Sequence, residues 1–132
     1  MNSLSHKDVV IFDLDGTLTE AKTSIDSEMS ELINKLVETH HVVVMSGGSH
    51  EQIKRQFLAG LVASPDVYKK IHLFPTCGSQ CHQYEESGWV ERYADRLTNE
   101  EKDHIFSSFE IVFKKVGYQH PEELHGEVIE DR

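Results

Sequence analysis

Apolar residues gather into three short runs early in the chain, each stopped by a polar residue, a glycine or a proline. "DVVIFDLD" ends at Asp13 and Asp15, "HVVVMSGGS" at Ser46 and a doubled glycine, and "KKIHLFPT" at Pro75. The runs are rich in β-branched residues and do not alternate with polar ones, which predicts buried strands of a parallel sheet. Between the first two, Ile25, Met29, Leu32, Ile33, Leu36 and Val37 fall at helical spacing and predict a helix from Ile25 to Thr39. After the second, Ser49 reads as an N-cap with Gln52 three residues on as its capping-box partner, and a helix runs to about Leu61. Strand, helix, strand, helix, strand predicts an α/β fold with a Rossmann-like, doubly wound parallel sheet.

The pattern changes after Cys81. "CHQYEESGWVERYA" predicts a hairpin with Ser87-Gly88 at its turn. Asn99 to Val116 predicts a helix with Ile105, Phe106, Phe109, Val112 and Phe113 as its buried stripe, and "GEVIED" predicts the start of another strand. Segregated strands and helix indicate the start of an α+β cap domain. The expected division is a core over residues 1–81 and an incomplete cap over 82–132. The last strand has nothing after it to pair with, so the chain reads as an N-terminal fragment of a longer protein.

Charge narrows the partners. With 23 acidic against 13 basic residues the net charge is −10. This argues against nucleic acid, which is held by clustered Lys and Arg. The same field repels a phosphorylated metabolite unless a metal or a few placed cations correct it locally. No apolar run approaches the roughly 20 residues that span a bilayer, and "MNSLSHKD" lacks a signal-peptide layout. No membrane partner and a cytoplasmic location are therefore expected. Cys77 and Cys81 in "CGSQCH" lack an evident second ligand pair and read as structural thiols rather than a metal nest. The scattered histidines read as surface or packing residues.

The chemistry concentrates at "DLDGT". In an open α/β sheet, reacting groups sit at the carboxyl ends of the strands, where Asp13 and Asp15 stand. Side chains at i and i+2 of a strand point the same way, so both carboxylates can face one centre, and Gly16 lets the backbone turn beside them. A calcium loop also begins D-x-D, but it needs Gly sixth and Glu twelfth, where Leu18 and Ser24 stand. Two readings remain: aspartates that merely cap a turn, and a catalytic pair.

"DLDGT" after an apolar strand resembles motif one of the haloacid-dehalogenase-like phosphatase superfamily, and "VVVMSGGS" resembles motif two. The element order, with "DGTLTEAK" and "MSGGSHEQIKRQF", is similar to the branch holding C2-capped sugar phosphatases and eukaryotic-type phosphomannomutases. The likeness covers nearly the whole chain. It implies Asp13 as a nucleophile that forms an aspartyl-phosphate. Mg²⁺ would be held by the Asp13 carboxylate and the Asp15 backbone carbonyl. Asp15 would be the general acid and base, its pKa raised by the neighbouring carboxylate. Ser46 would bind the phosphoryl group with the amides of Gly47 and Gly48, or Ser49 would if the doubled glycine shifts the register. Thr17 would touch phosphate through its backbone. Lys22 stands where mutases keep a substrate-binding arginine, and Arg132 matches a cap arginine, whereas His125 replaces another arginine of that pattern.

The resemblance also implies a lysine and an acidic pair after the cap, neither of which is found in these 132 residues. The chain alone is therefore expected to be inactive or nearly so, while the full-length product, which could pair as a homodimer, is an enzyme. A phosphatase acting on a phosphorylated sugar or other small phosphate ester is the first expectation. A phosphohexomutase that converts mannose 6-phosphate to mannose 1-phosphate is the alternative. A binding domain that keeps the fold without chemistry is a third reading, and the intact Asp13 and Asp15 oppose it.

Overall fold

A computed structural model describes residues 8–124, 126–129 and 131. The chain forms two compact units, residues 1–95 and 96–132. The first holds a five-stranded sheet in the order β1-β2-β3-β4-β5: β1 Val9–Asp13, β2 His41–Met45, β3 Ile71–Phe74, β4 Gln80–Glu85 and β5 Gly88–Ala94. β1, β2 and β3 are parallel, while β4 and β5 extend the sheet as an antiparallel hairpin. The fold is the expected Rossmann-like α/β arrangement. The hairpin assigned to the cap belongs instead to this sheet, so the boundary expected after Cys81 falls inside β4. Its turn is Glu86-Ser87, and Gly88, at φ 115°, pairs with Glu85.

Burial follows strand position. β2 lies between two neighbours and buries Val42, Val43 and Val44 in succession, as a strand covered on both faces must. Among the described residues β1 has a single neighbour, and it alternates, leaving Val9 and Ile11 exposed, although its apolar run reads as fully buried. The core collects Leu14, Leu18, Ile33, Val37, Ile53, Phe57, Leu61, Ile71 and Leu73. Tyr68, Tyr84 and Trp89 form a cluster of tilted and edge-on rings beside it, 5.1–6.0 Å apart. His41 stacks on His72 and His50 on His82, so these histidines are packing residues. Cys81 is buried, with its thiol pKa raised by that burial, whereas Cys77 is exposed.

Helix α1, Ser27–Val37, starts two residues after the expected Ile25. Asp26 caps it, accepting from the Met29 N–H at 2.8 Å. Ile25 stays outside because its N–H goes to the carbonyl of Gln56 at 2.8 Å. The helix after β2 is irregular: an α-turn α2, His50–Ile53, passes into a π-turn, Lys54–Leu58. A short α3, Pro65–Tyr68, leads into β3.

In the second unit α4 runs from Asn99 to Val116 as expected, with a complete Thr98/Glu101 capping box and Gly117 as its left-handed C-cap. Its apolar stripe is not buried: Ile105, Phe109 and Val112 are exposed, and Phe106 and Phe113 are half-buried. The strand expected in "GEVIED" is absent among the described residues, where 126–129 form bends and irregular backbone.

One glycine fixes how the π-turn meets the loop before α1. A Cβ at Gly60 would collide with the carbonyl oxygen and Cγ1 of Ile25. Gly60→Ala should therefore lose about 1–3 kcal/mol of stability in urea unfolding, the usual cost of forcing atoms into packed backbone. Gly126→Ala, where a Cβ meets nothing within 4 Å, should stay within about 0.5 kcal/mol.

Candidate active site

The register Asp13↔Met45 and Met45↔Phe74 aligns the carboxyl ends of the three parallel strands. Asp13, Ser46 and the turn at Thr76–Gly78 therefore leave the sheet along one edge. The exits are stitched together: Ser46 N–H donates to Phe74 O at 3.1 Å, Cys77 N–H to Ser46 O at 2.9 Å, and Thr76 N–H to Gly48 O at 2.9 Å. Thr76, Cys77 and Gly78 all have positive φ (50°, 56° and 87°), an uncommon run that includes a β-branched residue. The hydrogen bonds to the neighbouring loop hold it there.

Asp13 ends β1 on its exposed face, and among the described residues no N–H or O–H donates to its carboxylate. The chain then plunges through Leu14, which is fully buried, and turns at Gly16 with φ 77°, a conformation that suits glycine. The Leu14 carbonyl gathers the N–H groups of Thr17, Leu18 and Thr19 at 3.0–3.3 Å. The Thr17 N–H expected at phosphate is thus already engaged in the turn.

Asp15 is the hub. Its Oδ1 accepts from the Lys22 N–H at 2.9 Å and from Gln56 Nε2 at 2.7 Å, and its Oδ2 accepts from Gln52 Nε2 at 3.2 Å. These bonds favour the charged form and hold the carboxyl below the usual aspartate value, the Lys22 backbone bond contributing most and Gln56 next. The expected rise beside Asp13 is therefore overturned: hydrogen bonding to the anion outweighs burial.

Lys22 takes part through its backbone, in a left-handed conformation with φ 61°, while its side chain is exposed. Ser46 is buried and its Oγ accepts the Gly48 N–H at 3.0 Å, so that amide closes the loop in this conformation. Ser49 caps α2, accepting from the Gln52 N–H at 3.2 Å. The Gln52 side chain does not complete the expected capping box. It folds back across Gly48, where any Cβ would collide with it, and reaches Asp15 instead.

Arg132 and His125 lie outside the described residues. The residues missed by sequence reasoning are Gln52 and Gln56. The available signal was a polar residue at 56 between Ile53 and Phe57, on a helix face otherwise committed to the core.

The donors suit a hard cation in kind. Asp13 offers a carboxylate, and among the described residues the Asp15 carbonyl accepts none of the hydrogen bonds of its turn, so oxygen ligands of the type Mg²⁺ takes stand two residues apart. Among the described residues no group of three or more His, Cys, Asp or Glu forms a fuller shell. No helix of the described residues is long and apolar enough to cross a membrane.

Similar solved structures carry the same fold. The IMP-nucleotidase of Plasmodium falciparum superposes with a TM-score of 0.63 at 18% identity, covering 91% of this chain and 39% of its own. A haloacid dehalogenase-like hydrolase from Bacteroides thetaiotaomicron gives 0.60 at 23% identity, covering 80% and 38%. One from B. subtilis gives 0.57 at 17%, covering 80% and 34%. The chain thus spans less than two fifths of the length of these proteins. A search of curated proteins finds no match. The family model of the haloacid dehalogenase-like hydrolases matches residues 10–119, from the first strand through α4. The chain belongs to the haloacid dehalogenase-like hydrolase family.

Proposed function

We propose that the protein is, or is part of, a Mg²⁺-dependent phosphohydrolase that cleaves a small phosphate ester, a sugar phosphate first among them, through an aspartyl-phosphate at Asp13. The carrying observation is the unequal treatment of two aspartates at one strand end. Asp15 is gripped by three N–H donors, whereas Asp13 receives none among the described residues. An unencumbered carboxylate suits attack on phosphorus, and a held one suits directed proton transfer.

In this reading an Asp13 oxygen attacks phosphorus in line as the bond to the leaving oxygen breaks, and Asp15 gives that oxygen its proton. Asp15 then takes a proton from water, whose oxygen attacks the phosphorus of the aspartyl-phosphate. Inorganic phosphate leaves and Asp13 is regenerated. Since Asp15 rests as an anion, the proton it gives is taken up as the phosphate arrives, because a nearby like charge disfavours the ionised carboxyl. Ser46 and the Gly47–Gly48 backbone would steady the phosphoryl oxygens, with Gly48 trading its bond to Ser46 Oγ. Mg²⁺, held by the Asp13 carboxylate and Asp15 carbonyl, would offset the repulsion between carboxylate and phosphate. Lys22, Thr17 and Arg132 remain candidate substrate contacts.

Phosphate release should be followed from p-nitrophenyl phosphate, hexose 6-phosphates and IMP, the last because the fold is shared with an IMP-nucleotidase. The assay should use these 132 residues and any longer product of the same reading frame. Turnover should vanish with EDTA and return with Mg²⁺. Asp13→Asn should abolish it, and Asp15→Asn should lower it by about 10²–10⁴-fold, the usual range for acid–base help. Full activity in Asp13→Asn would refute the covalent route. Formation of mannose 1-phosphate that depends on a bisphosphorylated sugar would assign the mutase instead.

A further inference from the structure

The Asp15 carboxylate is held asymmetrically, and the asymmetry is built into the fold. Oδ1 takes the two shorter bonds, from Lys22 N–H at 2.9 Å and Gln56 Nε2 at 2.7 Å. Oδ2 takes only the 3.2 Å bond from Gln52, a half-buried side chain. Gln56 is 3% exposed and sits inside the π-turn, a geometry often found at functional sites. Its second contact is Nε2 to the Thr23 carbonyl at 3.2 Å, and its own carbonyl accepts the Ile25 N–H at 2.8 Å. Arg55 O accepts from Ser24 Oγ at 2.9 Å. The π-turn is thus fastened to the same loop that brings the Lys22 N–H to Oδ1.

The amide orientation of Gln56 follows from its acceptors. Asp15 Oδ1 and Thr23 O both call for N–H, so Nε2 must face them, while Oε1 is left buried without a partner among the described residues. A buried unsatisfied carbonyl is unusual in a folded protein. A side chain selected only for packing would be apolar here, as Ile53 and Phe57 are on either side.

From this geometry we propose that Gln56 is a positioning residue that anchors Asp15 through Oδ1, leaving Oδ2 as the working oxygen that meets the leaving group and the water. A proton on Oδ1 would point at two N–H donors, whereas Oδ2 has an open lone pair and a single displaceable partner. Gln52 is that partner, exchanged for substrate or water during the reaction. The inference rests on the acid–base reading of Asp15 given above. It adds which oxygen acts and what aims it, following the rule that a catalytic base is oriented by a further group.

The test reads the Asp15 side chain directly in labelled protein. Three-bond couplings from Asp15 Cγ to its backbone N and C′ should report one fixed χ1 rotamer in wild type and in Gln52→Met, and averaging in Gln56→Met. In wild type alone, the Gln56 side-chain amide protons should exchange with solvent at least about tenfold more slowly than those of Gln52, a comparison that can overturn the anchor even if Gln56→Met does not fold. In the form that turns over, Gln56→Met should lower kcat about 10- to 100-fold with KM within about twofold. A fixed Asp15 rotamer in Gln56→Met, or equal exchange of the two amides, would overturn the anchor. Undiminished turnover in Asp15→Asn would sink the acid–base reading instead, leaving the couplings and exchange rates to judge the anchor alone.

Discussion

The convergence of three N–H groups on the Asp15 carboxylate organises the rest of this site. Each donor comes from a different place: the backbone at Lys22, the first turn after the N-cap of α2 at Gln52, and the π-turn at Gln56. A carboxylate that accepts several N–H bonds is stabilised as an anion, and the bonds fix its plane as well as its charge. Two features exist to let the donors reach it. Gly48 has no side chain where Gln52 folds back, and Gly60 has none where the π-turn meets Ile25. Lys22 adopts a left-handed backbone conformation and donates its N–H to the acid, and its positive charge also favours the anion.

This arrangement explains how two carboxylates two residues apart can do different work. The fold gives them different hydrogen bonding. Leu14 drives between them into the core, anchoring the turn. Asp13 finishes the ladder opposite Met45 and stays open to solvent, while Asp15 is drawn toward the helix that follows β2. Motif one therefore meets motif two through strand register, and the helix that follows motif two through side chains. The joint is the Asp15–Gln52 contact across Gly48.

Much of the frame was legible in the sequence, because unbroken β-branched runs and helical spacing leave few alternatives. β2, β3 and α4 appear where the pattern puts them. The hairpin was legible as a hairpin but not as part of the sheet, since partner choice depends on β3 offering its free edge, which no local pattern records. β1 reads as buried from its composition, yet its position at the sheet edge leaves Ile11 63% exposed. The stripe on α4 was legible as periodicity, but periodicity does not say whether anything covers it. Within the site, Asp13, Asp15 and Ser46 stand out by motif, whereas Gln56 does not. An isolated glutamine in a helix has no sequence signature, and its role arises only when the π-turn brings it to a loop more than 30 residues earlier. The expected sense of the Asp15 pKa shift failed for the same reason: a neighbouring aspartate is visible in sequence, and converging amides are not.

The most direct measurement is a carbon-detected titration of the Asp15 side-chain carboxyl in the folded protein. If the three donors hold it as described, the midpoint lies below the ordinary aspartate value of 3.8, and protonation is delayed until the pH has fallen past it. A midpoint at or above that value would mean that the hydrogen bonds do not govern this carboxyl, and the account built on them would be wrong.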